Sequence, residues 1–235
     1  MNPGRVGVIV VLCSALGSIT TSAAGQGITT PAAGQGITES ITVRSTPAAA
    51  LRRDMRKLWT DHVVWTREYI IAATLKQPEA TAALNRLMKN QDDIGNAVAT
   101  YYGDGAGHQL TMLLKDHIAI AGDIVKAAMN GDKTAQNAAD GQWHQNAMQI
   151  ADFLSKANPN WPRAALLDMM NEHLSTTTTE LVARLNKDWD ADVKAFDAVV
   201  DHILMMSDAL TDGIVKQFPD KFGGPTPTAT SGTGR

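Results

Sequence analysis

Six polar residues recur in this chain at intervals of 27 to 29 residues, each inside an otherwise apolar stretch of helical pattern. They are His62, Asn90, His117, Asn146, His173 and His202. Imidazole nitrogens bind zinc, copper, iron and nickel, and helical bundles commonly build metal sites from side chains that face one another across the core. The spacing therefore predicts a buried, histidine-rich layer that is able to hold a transition-metal ion.

Methionine pairs accompany the last two histidines. Met169-Met170 precedes His173, and Met205-Met206 follows His202. In an antiparallel helix pair, Met170 and Met206 fall on the same side of the two rings, and a set of two imidazoles and two thioethers favours copper, particularly Cu(I). The predicted metal ligands are His173 and His202, then His62 and His117, with Met170 and Met206 added for copper, and the candidate cofactor-binding residues are Asn90 and Asn146.

Two other functions are compatible with the same layer. Buried His and Asn side chains can satisfy each other, and one polar layer can fix the register of a bundle, so a non-enzymatic structural or partner-binding protein is the first alternative. A ferritin-like or haemerythrin-like non-haem iron protein is the second. Such centres use several inward carboxylates, often as Glu-x-x-His, whereas Asp93 is the best inward acid here. No catalytic set is recognisable, which favours a protein that is not an enzyme.

An acid immediately precedes each layer histidine; these acids are Asp61, Asp116, Glu172 and Asp201. Adjacent helical residues point about 100° apart, so an acid and the histidine that follows it do not share a face. Such an acid either orients an imidazole of the neighbouring helix or pairs with a nearby base.

The elements that position the layer are marked by turn residues. Six helices are predicted, opened by Thr46-Pro47 and separated by Gln77-Pro78, Gly103-Asp104, Asn130-Gly131-Asp132, the segment 158–162 and Lys187-Asp188. No stretch alternates with period two. The region repeats every ~56 residues, one helical hairpin per repeat. We therefore expect an all-α, six-helix antiparallel up-and-down bundle made of three αα-hairpin repeats.

The N-terminus is typical of a secretory signal peptide. Arg5 precedes the mostly apolar stretch 6–16, and Ser22-Ala23-Ala24 offers a cleavage site. The predicted organisation is a signal peptide at 1–24, a flexible linker at 25–46, the bundle at 47–218 and a disordered tail at 219–235. The protein is therefore expected to be secreted or periplasmic, without a transmembrane span once the signal is removed. A lipid anchor on Cys13 is a weaker alternative, because Leu12 before it is large for such a motif.

Composition limits the choice of partners. The chain has 21 basic and 24 acidic residues, so it lacks the basic excess of a nucleic-acid-binding protein. Cys13 is its only cysteine, so the mature protein would have neither a disulfide nor a thiolate metal site. A metal ion or a protein partner fits this composition, and the oligomeric state stays open.

The stretch 58–218 resembles an uncharacterised family of exported bacterial proteins. The matching motifs are Leu-Trp-x-x-His-x-x-Trp-x-Arg at 58–67, Asn-Gln-x-Asp-Ile-Gly-Asn-Ala at 90–97, Tyr-Tyr-Gly-Asp at 101–104 and Asn-Pro-x-Trp-Pro at 158–162. Members of that family sometimes carry the label glycosyltransferase, but nothing in these residues supports that chemistry. The resemblance implies an exported helical domain and no particular mechanism.

Overall fold

The computed structural model describes residues 45–223, and within this range the chain forms helices and no strand. The α-helices are α1 (Pro47–Thr74), α2 (Ala80–Tyr102), α3 (Asp104–Asn130), α4 (Lys133–Ala157), α5 (Arg163–Leu185) and α6 (Trp189–Gln217), followed by a 3-10 helix at Pro219–Phe222. The predicted all-α fold with six helices is confirmed. The predicted signal peptide and nearly all of the predicted linker lie outside the described residues.

Turn and capping residues set the helix boundaries as the sequence indicated. The Thr46 hydroxyl accepts a hydrogen bond from the backbone N–H of Ala49 at 3.2 Å, and Pro47 occupies the first turn of α1. Gly103 has a φ of +84°, which residues with side chains rarely adopt, so α2 ends there and α3 begins directly after it. Asp132 and Asp188 cap α4 and α6 by accepting from a backbone N–H three residues further on.

The six helices close into a ring around one core. Each helix packs against the next one in the chain, and α1 packs against α6. Ion pairs join this last seam, because Arg52 pairs with Asp208 at 3.1 Å and with Asp212, and Arg56 also pairs with Asp208. Closure of the ring brings side chains from all six helices to a shared interior.

The interior is mainly apolar, and the predicted layer is among its buried polar side chains. Trp59, Trp143 and Trp161 are at most 6% exposed and pack with leucine, isoleucine and methionine side chains from all six helices. The fold also continues beyond the predicted end of the bundle at 218. Phe222 in the 3-10 helix stacks on Tyr101 with ring centroids 5.8 Å apart, so this apolar contact holds the start of the predicted tail against α2.

Within residues 45–223, no helix combines the length and the apolar character needed to cross a bilayer.

Candidate functional site

Four histidines meet in the middle of the bundle. They come from α1, α3, α5 and α6 and are between 2% and 6% exposed. His173 is central, since its ring centroid lies 5.7 Å from that of His62, 5.9 Å from that of His117 and 6.3 Å from that of His202. Spacing in the sequence therefore predicted correctly that these rings share one level of the core.

Each hairpin contains the same hydrogen bond at this level. The amide nitrogen of Asn90 donates to the Leu58 carbonyl at 3.0 Å, and that of Asn146 donates to the Leu113 carbonyl at 3.0 Å. In the third hairpin, His202 replaces the asparagine and its Nε2 lies 2.9 Å from the Met169 carbonyl. In each of the three hairpins, the backbone carbonyl in this contact belongs to the residue four positions before a layer histidine. The three returning side chains thus fix the register of their own hairpins.

Neighbouring groups determine the tautomer of His117. Its Nδ1 lies 2.7 Å from Oδ1 of Asn146, whose Nδ2 is already directed at the Leu113 carbonyl. Because the amide presents its acceptor oxygen to the ring, Nδ1 of His117 carries the hydrogen. Burial lowers the pKa of His117 to about 4, so the ring is neutral at pH 7. Its Nε2 therefore has a free lone pair, and this buried atom has no hydrogen-bond partner among the described residues.

His62 contacts a different kind of amide. The Gln91 amide nitrogen lies 3.2 Å from Nδ1 of His62, and the same nitrogen is within hydrogen-bond distance of the Leu87 carbonyl and of Oδ1 of Asn90, so its two hydrogens face three acceptors. Burial, reinforced by the nearby His117 ring, lowers the pKa of His62 to about 3. Gln91 was not predicted as a site residue, although it directly follows Asn90 in the sequence. Only the side-chain geometry shows that the glutamine contacts the ring, whereas Asn90 contacts the backbone.

His173 has the least satisfied ring of the layer. Its Nδ1 is buried and, across residues 45–223, has no hydrogen-bond partner. Burial, and after it the rings of His62, His117 and His202, lower the pKa of His173 well below its ordinary value, so this ring is also neutral at pH 7. An unsatisfied buried nitrogen costs on the order of 1–3 kcal/mol, which makes this atom a candidate ligand.

A cavity of about 30 Å³ adjoins the histidine layer. His62, His117 and His173 line one part of it, and the thioether side chains of Met170 and Met206 line it as well. This volume is large enough for one ion. The other lining residues are Met55, Trp59, Val98, Leu110, Leu114, Ile150, Leu154, Trp161, Leu166, Met169, Leu210 and Ile214.

The predicted ligands are not all equally available. His202 is stacked 6.3 Å from His173 and its Nε2 is engaged by a backbone carbonyl. In the described part of the chain, no three side chains of the types His, Cys, Asp and Glu are grouped as a metal site. Asp61 pairs with Lys57 at 2.5 Å, so this acid has a base as its partner.

A second polar cluster lies between α1, α5 and α6. The Arg67 guanidinium donates to Glu180 at 2.6 Å and to both oxygens of Asp192, which also accepts from Arg184 at 3.0 Å. Both carboxylate side chains are no more than 3% exposed. Desolvation raises the pKa of Glu180 to about 7 despite the ion pair with Arg67. The burial of this cluster was not predicted from the sequence.

No protein family, curated protein or solved structure matches this chain. The resemblance to an exported bacterial family therefore stays a prediction, and the function has to be argued from the site.

Proposed function

We propose that this protein binds monovalent copper in the cavity beside the histidine layer, in an extracytoplasmic compartment. The observation that carries the proposal is a pair of buried imidazole nitrogens, Nε2 of His117 and Nδ1 of His173, that have no hydrogen-bond partner among residues 45–223. Both residues line the same cavity.

The two rings are suitably spaced to share one ion. Imidazoles that bind one metal at a metal–nitrogen distance of about 2 Å have their ring centroids roughly 5 to 6 Å apart. The centroids of His117 and His173 are 5.9 Å apart. Metal binding requires the neutral imidazole, and burial keeps both rings neutral at pH 7, so protons do not compete with the ion.

Asn146 supports His117 in the manner of residues that orient metal-binding histidines. It accepts the hydrogen on Nδ1 of His117, which fixes the ring and leaves Nε2 to the ion. Met170 and Met206 supply thioether sulfur in the same cavity. In this arrangement His62 and His202 pack around the central ring, each with one nitrogen already engaged.

The chemistry of the lining favours monovalent copper over zinc or iron. Zinc sites use three or four ligands from His, Cys, Asp and Glu, and the described residues contain no such group. No carboxylate is among the described residues that line the cavity, so a divalent ion would retain its full charge in an apolar interior. Neutral imidazole and thioether ligands suit a soft ion with a single charge.

The extracytoplasmic location rests on residues 1–24, which lie outside the described range. Their short basic region, apolar stretch and small-residue cleavage site support export.

Anaerobic titration with Cu(I) against a chromophoric chelator tests the proposal. Wild-type protein should bind one ion, and X-ray absorption should detect both nitrogen and sulfur donors. His117→Leu and His173→Leu should each abolish tight binding, whereas the exposed histidines supply matched controls in His108→Ala and His144→Ala. Wild-type protein that leaves all copper on the chelator would overturn the proposal, as would an X-ray absorption spectrum without a nitrogen donor.

A structural role for the layer is the second candidate function. The three equivalent hydrogen bonds from Asn90, Asn146 and His202 to helix carbonyls favour it, because they lock each hairpin without any ligand. Under this alternative, the same titration finds no copper, while substitutions at Asn90 and Asn146 still lower the free energy of unfolding.

A further inference from the structure

One side chain from a connecting segment lines the cavity. Of the described residues that line it, Trp161 alone lies between helices, in the connection from α4 to α5, and the others belong to helices. Trp161 is 5% exposed, yet its neighbours Asn160 and Pro162 are both exposed. The connecting segment therefore contributes one buried side chain, an indole, to the described lining of the cavity.

The indole fits a slot that depends on glycine. A Cβ atom at Gly213 would lie 1.9 Å from Nε1 of Trp161, so any larger residue at this position of α6 would leave no room for the ring. The ring also packs against Tyr102, with centroids 5.7 Å apart. Nε1 itself is buried without a hydrogen-bond partner in the described chain, so packing alone holds the indole.

Hydrogen bonds hold the connecting segment beside this slot. Asn158 donates to the Tyr102 hydroxyl at 2.8 Å, and that hydroxyl donates to Gln217 at 2.8 Å. The backbone N–H of Trp161 donates to the Asn158 carbonyl at 3.0 Å. The Gln217 amide also donates to the Ala157 carbonyl at 3.1 Å, so these contacts hold the connection to the ends of α2 and α6.

Methionines lie between this segment and the histidine layer. At about 1.5 Å per residue along a helix, Met170 lies roughly 5 Å, Met206 roughly 6 Å and Met55 roughly 10 Å from the level of the histidines. Helices α1 and α5 begin at the end of the bundle where Trp161 lies, and α6 ends there. Met55 and Met170 precede the layer histidines of α1 and α5, and Met206 follows that of α6, so these three methionines lie on the Trp161 side of the layer. The second small cavity, on the far side of the layer, is lined by threonine, tyrosine, tryptophan and aliphatic residues among those described, without methionine.

We propose that the connection between α4 and α5 is the entrance to the cavity, that Trp161 is its plug, and that the methionines lead a soft monovalent ion from the entrance to His117 and His173. This inference rests on the proposed copper function for the identity of the ion. The plug itself rests on geometry that does not involve a metal.

Loading kinetics test the entrance. Trp161→Ala should accelerate Cu(I) uptake from a chelator by about tenfold or more, because the step that opens the site is removed. The dissociation constant should change by less than about threefold, since no proposed ligand is altered. Tyr102→Phe keeps the ring and removes both hydrogen bonds of the hydroxyl, so it should accelerate uptake to a smaller extent. The exposed Trp189 at the opposite end supplies the control Trp189→Ala, which should leave the rate unchanged.

A chemical probe tests the plug without metal. Leu210→Cys, placed in a Cys13→Ser background, introduces one thiol into the cavity lining. Alkylation of this thiol should become about tenfold faster when Trp161→Ala is added, and should not change with Trp189→Ala. Faster alkylation in protein that never binds copper would overturn the copper function and leave the plug intact. Copper binding with unchanged uptake and alkylation rates would overturn the plug.

Discussion

His117 donates the hydrogen on its Nδ1 to Asn146 across the α3–α4 hairpin, at a nitrogen–oxygen distance of 2.7 Å. The Asn146 amide cannot turn over without losing its own bond to the Leu113 carbonyl. One backbone carbonyl therefore determines, through one amide, which nitrogen of a buried imidazole keeps a lone pair. The first hairpin has the same asparagine-to-carbonyl bond, but there the amide of Gln91 contacts the ring of His62.

This difference between hairpins supplies a matched pair of substitutions. Asn146→Leu and Asn90→Leu each remove one bond to a helix carbonyl, so both should lower the free energy of unfolding by about 1–3 kcal/mol. Only Asn146→Leu also releases His117, and loss of such an orienting partner typically weakens metal binding by about 10- to 100-fold. Cu(I) affinity measured by chelator competition should fall for the first variant alone. Equal affinities in the two variants would show that Asn146 has no orienting role.

The tautomer of His117 gives a second prediction, which concerns the metal-free protein. At pH 7, His117 should carry its hydrogen on Nδ1 and leave Nε2 unprotonated, because the Asn146 oxygen faces Nδ1 and burial keeps the ring neutral. Long-range proton–nitrogen correlation NMR distinguishes the two forms, and exposed His108 and His144 give reference signals in the same spectrum. A hydrogen on Nε2 of His117 would remove the lone pair on which the proposed site depends.

The level of the histidine layer is predictable from the sequence because helix length determines height in an up-and-down bundle. Residues 27 to 29 apart return to the same level whenever the connections are short. Capping residues such as Thr46 and Asp188 were equally predictable, since their side chains bond to a backbone group only three residues away. The level of the layer and the capping bonds depend on helix lengths and on residues close together in the chain, so both can be predicted from the sequence.

The partners of each ring were not predictable in the same way. Gln91 and Asn90 are adjacent, and only the rotation of α2 about its axis decides which of them contacts His62. The ion cluster had a sequence signal that was overlooked. Glu180 lies seven residues after His173 on the same buried stripe of α5, and Asp192 lies in the first turn of α6. Its pairing with Arg67, far away in the chain, requires the closed ring of helices.

Acid should destabilise the fold through the histidines. His62, His117 and His173 have pKa values in the folded protein that are lower than in the unfolded chain, so the unfolded state binds more protons between about pH 4 and 6.5. As the pH falls below the pKa that these histidines have in the unfolded chain, each ring should therefore lower the free energy of unfolding by about 1.4 kcal/mol per pH unit.

Denaturant unfolding of wild type and His173→Leu between pH 4.5 and 8 measures this contribution. The wild type should lose stability more steeply than the variant below about pH 6.5, by roughly 1.4 kcal/mol per pH unit, and the two slopes should agree above it. His108→Ala, which removes an exposed ring, should follow the wild type. Parallel curves for wild type and His173→Leu throughout this range would mean that the folded protein accepts a proton on His173.

Glu180 should have the opposite pH dependence. Its pKa is raised from 4.5 in the unfolded chain to about 7 in the fold, because desolvation outweighs the ion pair with Arg67. Between these values the folded state binds the additional proton, so the contribution of Glu180 to stability is greatest in acid and is lost as the pH rises through 7. Relative to Glu180→Gln, the wild type should therefore lose about 1.4 kcal/mol per pH unit between pH 5 and 7. Glu172→Gln, an exposed acid on the same helix, provides the control. A constant difference between wild type and Glu180→Gln across this range would show that Arg67 keeps the buried carboxylate ionised.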